Sequence, residues 1–183
     1  MIVIILVSMA CFFSEDTYTQ PWTEMNAKAG WSDRLWHTSV AMPDGSIVLM
    51  GGQADNQGIG NDVWRSTDYG RNWTQMTAYA RWSGRVSHSS VATPDGSLVV
   101  MGGQSSGTLM NDVWRSTDNG ATWTLMTPRA EWSPRYFHSS VVMPDGSIVL
   151  MGGIINNRGG NMNDVWRSTD NGTTWTLMTA SAG

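Results

Sequence analysis

Apolar residues along this chain fall in short bursts rather than at helical spacing, and turn residues close each burst. Residues 138–143 (HSSVVM) form a short β-prone run. Pro144-Asp145-Gly146 then reads as a turn, because Pro sets φ and Gly accepts positive φ. Residues 147–153 are a continuous apolar run, the pattern of a strand covered on both faces. After a Gly- and Asn-rich loop come a third strand at 164–168, a tight turn at Asp170-Asn171-Gly172 and a fourth strand at 174–178. No helical periodicity follows the N-terminal segment. The predicted unit is a four-stranded antiparallel meander, with strands a to d.

The same meander is written three times, over residues 31–81, 82–131 and 132–183. Each copy carries W-S-x-R-x-x-H-[ST]-S-V, P-D-G-S-[IL]-V-[LV]-M-G-G and N-D-V-W-R-S-T-D-x-G. A period of roughly 50 residues is a signature of propeller arrays. One such sheet cannot cover its own two apolar faces, whereas radial stacking can. The fold class predicted is all-β: β-propeller blades, as three four-stranded antiparallel meanders plus one extra N-terminal strand, making a partial propeller. The extra strand is residues 22–26 (WTEMN), which match strand d at 73–77 (WTQMT). The division expected is a signal peptide at 1–14, a partial blade and connector at 15–30, and blades at 31–81, 82–131 and 132–183. Trp64, Trp114 and Trp166 on strand c, with Trp73, Trp123 and Trp175 on strand d, are expected to pack between blades, since large aromatics dominate core energetics. Residues 178–183 match 25–30, after which a repeat opens. The chain is therefore expected to be a fragment of a longer array or a short member that self-associates to complete the propeller.

Bulk composition narrows the function classes. The 183 residues are rich in Gly, Trp and Met and low in charge, which excludes a disordered chain. A net charge of -4 argues against nucleic acid held on a basic surface. The single cysteine, Cys11, can build neither a disulfide framework nor a Cys-based zinc site within one chain. Residues 2–13 (IVIILVSMACFF) are apolar but too short to span a bilayer, which takes about 20 residues. They fit a signal-peptide h-region, although no Lys or Arg precedes them. A secreted or cell-surface protein is expected; a buried strand or a misassigned start is the alternative.

Two repeat signatures overlap in these residues. The Gly pairs 51/52, 102/103 and 152/153, with the later Trp73, Trp123 and Trp175, resemble the kelch repeat of galactose oxidase-like propellers. Residues 66–73, 116–123 and 168–175 are similar to the S-x-D-x-G-x-T-W Asp-box of sialidase-type propellers, with Asn72 replacing Thr in the first. The resemblance covers residue 22 to the C-terminus. It implies a propeller in which Asp68, Asp118 and Asp170 stabilise turns and stand apart from any active site. One carboxylate per turn also falls well short of the six to eight oxygens of a calcium site. Galactose oxidase chemistry would imply copper held by Tyr and His with a Tyr–Cys crosslink, but Cys11 lies outside the repeats. Sialidase chemistry would imply an Arg cluster, a Tyr nucleophile with a Glu partner and an acid/base. Only Glu15, Glu24 and Glu131 are present, and Arg34, Arg85 and Arg135 recur once per repeat. Catalysis needs different residues in different roles, so no catalytic residue, cofactor or metal is expected. His37, His88 and His138 occupy equivalent positions at the start of strand a and read as hydrogen-bonded structural residues rather than a metal trio.

The candidate ligand face follows from the meander. The a→b and c→d turns lie at one end and are nearly invariant. The b→c loops (53–60, 104–110 and 154–162) and the d→a loops lie at the other, and they vary. Variation within a repeat array often marks the binding face; ordinary loop drift is the alternative. Candidate ligand residues there are Trp31, Arg34, Tyr79, Arg81, Trp82, Arg85, Arg129, Glu131, Trp132, Arg135 and Arg158. Aromatics beside Arg suit a protein or a glycan. The expected function is a non-catalytic, exported binding module; the alternatives are a sialidase-like glycoside-processing enzyme and a purely structural array.

Overall fold

The computed structural model describes residues 23–182 apart from 56 and 157–159. These residues form thirteen strands and no helix. The first sheet holds β1 (Arg34–Leu35), β2 (Thr38–Ala41), β3 (Ile47–Ala54), β4 (Gly58–Ser66) and β5 (Thr74–Thr77). The second holds β6 (Ser89–Ala92), β7 (Leu98–Ser105), β8 (Thr108–Ser116) and β9 (Thr124–Thr127). The third holds β10 (Ser139–Val142), β11 (Ile148–Met151), β12 (Val165–Ser168) and β13 (Thr176–Thr179). Every neighbouring pair is antiparallel, and the register repeats from blade to blade: Ile47, Leu98 and Ile148 face Ser66, Ser116 and Ser168. The three sheets are open blades of a partial propeller.

The N-D-V-W-R motif explains why each blade closes. In the second copy, Asn111 Nδ2 donates to the carbonyls of Ala130 and Trp132 and fastens the d→a connection. Asp112 accepts two bonds from Arg85 and one from Trp114 Nε1. Val113 is fully buried. Arg115 reaches the P-D-G turn and pairs with Asp95 at 2.7 Å. The Asp, Trp and Arg bonds recur in the other blades.

The Gly-Gly pairs are a steric requirement. A Cβ on Gly52 would stand 2.7 Å from His37 Cβ, and Gly51 and Gly52 both have positive φ, at 59° and 93°. The strand bulges there, between Met50 and Gly52.

Hydrophobic cores lie between sheets, not within them. Val48, Met50 and Val63 of the first blade pack on Trp82, Leu98 and Trp123 of the second. Val99, Met101 and Val113 of the second pack on Trp132, Ile148 and Trp175 of the third. Within each blade two Trp rings meet edge to face: Trp82 on Trp123 at 5.7 Å and Trp132 on Trp175 at 6.0 Å.

Two expectations are corrected. The extra N-terminal strand at 22–26 does not form over its described part, since residues 23–30 are irregular and Trp22 lies outside the described residues. A strand d pairs only with strand c of its own blade, and the described residues offer it none. Asn26 Nδ2 instead donates to the carbonyl of Arg71 at 2.5 Å. The b→c segments of the first two blades are hairpins rather than loops. Beyond the bulge, pairing resumes through Gly52–Gly60 to Ala54–Gly58 and through Gly103–Met110 to Ser105–Thr108. Ser106 and Gly107, with φ of 46° and 87°, make the tight turn of the second hairpin. The signal-peptide segment lies outside the described residues.

Candidate functional site

Strand a of each blade lies against strand a of the next: β2 on β6, and β6 on β10. The blades therefore converge on these strands, and their starts line the axis. Just before each lies R-x-x-H, whose Arg and His are committed to structure. Arg85 donates to both carboxylate oxygens of Asp112 and to the carbonyl of Gly102, all at 2.9 Å, and sits 5.6 Å from the Trp82 ring. Arg34 and Arg135 make equivalent bonds to Asp62 and Asp164. Planar two-point pairing of this kind uses up the guanidinium.

Two of the histidines, His88 and His138, tie blades together. His88 Nε2 lies 2.8 Å from Thr38 Oγ1 of the preceding blade. Burial, followed by the charge of Arg85, holds His88 well below the usual imidazole range. Burial, followed by Arg135, lowers His138 to about 3. Both are neutral hydrogen-bonding groups at neutral pH. No group of three or more His, Cys, Asp and Glu among the described residues could hold a metal.

The predicted ligand residues therefore separate into two sets. Trp82, Trp132, Arg85 and Arg135 are fully buried, and the Arg34 side chain is almost so. Trp31 is half-buried against Trp73. The preceding blade covers Trp82 and Trp132, and Asp62, Asp112 and Asp164 of their own blades occupy the arginines. Glu131 is exposed but accepts the Trp175 amide at 3.0 Å. Tyr79, Arg81 and Arg129 are exposed and free to meet a ligand. Arg158 lies outside the described residues.

Tyr79 is 85% exposed and lines a cleft of about 520 Å³ between the first b→c hairpin and its d→a connection. Arg34, Gln57, Ile59, Asp62 and Gln75 also line it. The invariant end is not featureless. A second hollow of about 360 Å³ lies there between Pro94 and Pro144, walled also by Thr169 and Asn171.

The axial mouth carries a feature missing from the candidate set. The two residues inside R-x-x-H are Leu35-Trp36, Val86-Ser87 and Tyr136-Phe137. Trp36, Ser87 and Phe137 adopt left-handed backbone, with φ of 57°, 53° and 55°. Their amides and carbonyls link successive blades: Ser87 N–H donates to Trp36 O, and Phe137 N–H to Ser87 O. Trp36 and Phe137 are 51% and 54% exposed, Leu35 is exposed beside them, and the Tyr136 ring lies 4.9 Å from that of Phe137. The signal was present in the sequence: two variable positions inside an otherwise repeated motif.

A left-handed φ on a bulky aromatic is costly. The cost persists here because the inter-blade hydrogen bonds and the packed Arg and His on either side over-determine the backbone. Large rings are thereby turned outward instead of into the blade interface.

A family model described as the KLHDC2/KLHL20/DRC7 Kelch-repeats domain matches residues 8–183. No curated protein matches the chain.

Proposed function

The chain belongs to this kelch-repeat family, and from that premise we propose that it binds a protein segment at its axial mouth without catalysing a reaction on it. The observation that carries the reading is the pair Trp36 and Phe137, exposed where the blades converge, with the half-buried Tyr136 ring against Phe137. Apolar or aromatic side chains of an extended segment fill the mouth, and the hairpins and d→a connections with Tyr79, Arg81 and Arg129 contact its flanks. Such anchors supply most of the energy of a protein interface. The arginines that a sialidase-like site would need for a substrate carboxylate are each held by an aspartate, which favours binding over glycoside chemistry. Export is part of the same proposal and rests on the apolar residues 2–13; the N-terminal residue of the mature protein checks it.

The test is a displayed peptide library selected against the chain, in parallel with a glycan array. Selected peptides should lose at least about tenfold in affinity to the Trp36→Ala/Phe137→Ala variant, with its melting temperature held. Peptides that bind this variant as well as the parent would remove the mouth as the site. Binding confined to the glycan array would replace the protein partner by a carbohydrate.

A further inference from the structure

Three features set the first blade apart from the other two, and all three line one cleft. Strand β5 carries Gln75 where β9 and β13 carry Leu125 and Leu177. Tyr79 follows β5 where Arg129 and Ser181 follow the other two. The first hairpin turns over residues 55–57 instead of the two residues 106–107, and the longer turn supplies Gln57. Gln57, Gln75 and Tyr79 line the cleft of about 520 Å³ between this hairpin and the d→a connection. Variation that gathers at one place in a repeat array is the mark of a binding surface.

The opening is not a product of the first blade's free side. Asp112 holds the place of Asp62 in a blade with a neighbour on each side, and its side chain is 19% exposed against 14% for Asp62. Leu125, at the place of Gln75, is 41% exposed in that same blade.

The lining is polar and carries no free charge. Arg34 donates to both oxygens of Asp62 at 2.8 Å, and Trp64 Nε1 donates to Oδ2 at 2.7 Å. A carboxylate has about four acceptor sites, so Oδ1 keeps one for a ligand. Gln57 and Gln75 are exposed, and each side-chain amide offers a carbonyl and an NH2. Tyr79 adds a flat apolar face. The only other apolar side chains in the lining are Ile59 and two alanines, too few to desolvate the anchor residue of a protein partner.

We propose that this cleft binds a neutral mono- or disaccharide stacked on Tyr79, with its hydroxyls bonding Gln57, Gln75 and Asp62 Oδ1. A sugar ring presents an apolar CH face to an aromatic ring and hydroxyls that both donate and accept, which is what these side chains match. The volume falls within the range of small-molecule sites. The site is separate from the axial mouth and stands or falls without it.

Saturation-transfer NMR on the 183-residue chain with free neutral mono- and disaccharides, beside an array of neutral and acidic glycans, tests the assignment. At least one neutral sugar should bind. The Gln75→Leu/Tyr79→Arg variant gives the first blade the residues of the second, so its melting temperature should hold while sugar affinity falls about tenfold or more. Trp36→Ala/Phe137→Ala should bind the sugar as the parent does. No neutral sugar bound, or acidic glycans alone, overturns the proposal. Sugar binding indifferent to Gln75→Leu/Tyr79→Arg, or lost with the mouth variant, overturns the placement. Selected peptides that weaken in Gln75→Leu/Tyr79→Arg, with no sugar bound by the parent, would give the cleft to a protein segment instead.

Discussion

His138 Nε2 lies 2.7 Å from Ser89 Oγ, so the histidine that opens one blade is hydrogen-bonded to the first residue of strand β6 in the blade before it. The same bond joins His88 to Thr38. A small neutral contact is thereby built into each joint at the point where the blades converge.

That contact predicts an acid-sensitive fold. Burial lowers His138 to about 3 and holds His88 well below its ordinary value. Below the unfolded imidazole value of about 6.5, the unfolded chain therefore binds more protons than the folded one. Stability is therefore complete above that value and falls as pH drops below it. At about pH 5.5 His138 alone costs about 1.4 kcal/mol, and His88 adds to the loss in the same direction. Urea titrations at neutral and mildly acid pH should show the loss, and His138→Gln should flatten the slope. An unchanged slope would place the effect elsewhere.

The paired arginines differ in worth by burial. Asp164→Asn leaves Arg135, whose side chain is fully buried, facing a neutral partner and removes an acceptor from Trp166 Nε1. A loss of about 3–5 kcal/mol is expected. Asp145→Asn weakens only the exposed pair with Arg167 and should move the urea midpoint far less. Equal effects would contradict the assignment of Arg135 as a buried structural group.

Gly120 and Gly70 occupy the same turn but meet different surroundings. Gly120→Ala combines a φ of 91° with a collision on Val63 and should cost about 2–4 kcal/mol. Gly70→Ala meets the backbone cost alone in the single chain, about 1–2 kcal/mol. Adding Val63→Ala should recover part of the Gly120→Ala loss in a double-mutant cycle. No coupling between the two sites would refute the contact.

Asp118 is expected to serve the turn and nothing else. Its carboxylate accepts from the Thr122 amide, the Thr122 hydroxyl and Ser116 Oγ, at 2.9, 2.6 and 2.7 Å. Asp118→Ala should destabilise by about 0.5–1.5 kcal/mol per bond lost and leave any ligand affinity unaltered. Asn72 fills the Thr position of the first copy by donating its side-chain amide to Asp68 at 2.7 Å, so that departure from the repeat is chemically conservative. Lost binding at full stability would make the turn a site.

The four-stranded blade, its turns and its repetition were legible in the sequence because the bonds that make a blade are internal to it. Asn111, Asp112, Trp114 and Arg115 each find a partner within their own blade or the connection leaving it. A fifty-residue repeat therefore carries its own instructions three times. Exposure was not legible in the same way. Trp82 and Trp132 read as loop aromatics beside arginine, yet the preceding blade covers them, and burial of that kind depends on a sheet about fifty residues away. Trp36 and Phe137 read as spacers inside a motif, yet left-handed backbone turns them outward. The sequence by itself determined what each blade is. Only the tertiary structure decided which of its faces meets another blade and which aromatics meet the solvent, because both depend on how neighbouring sheets converge on the axis.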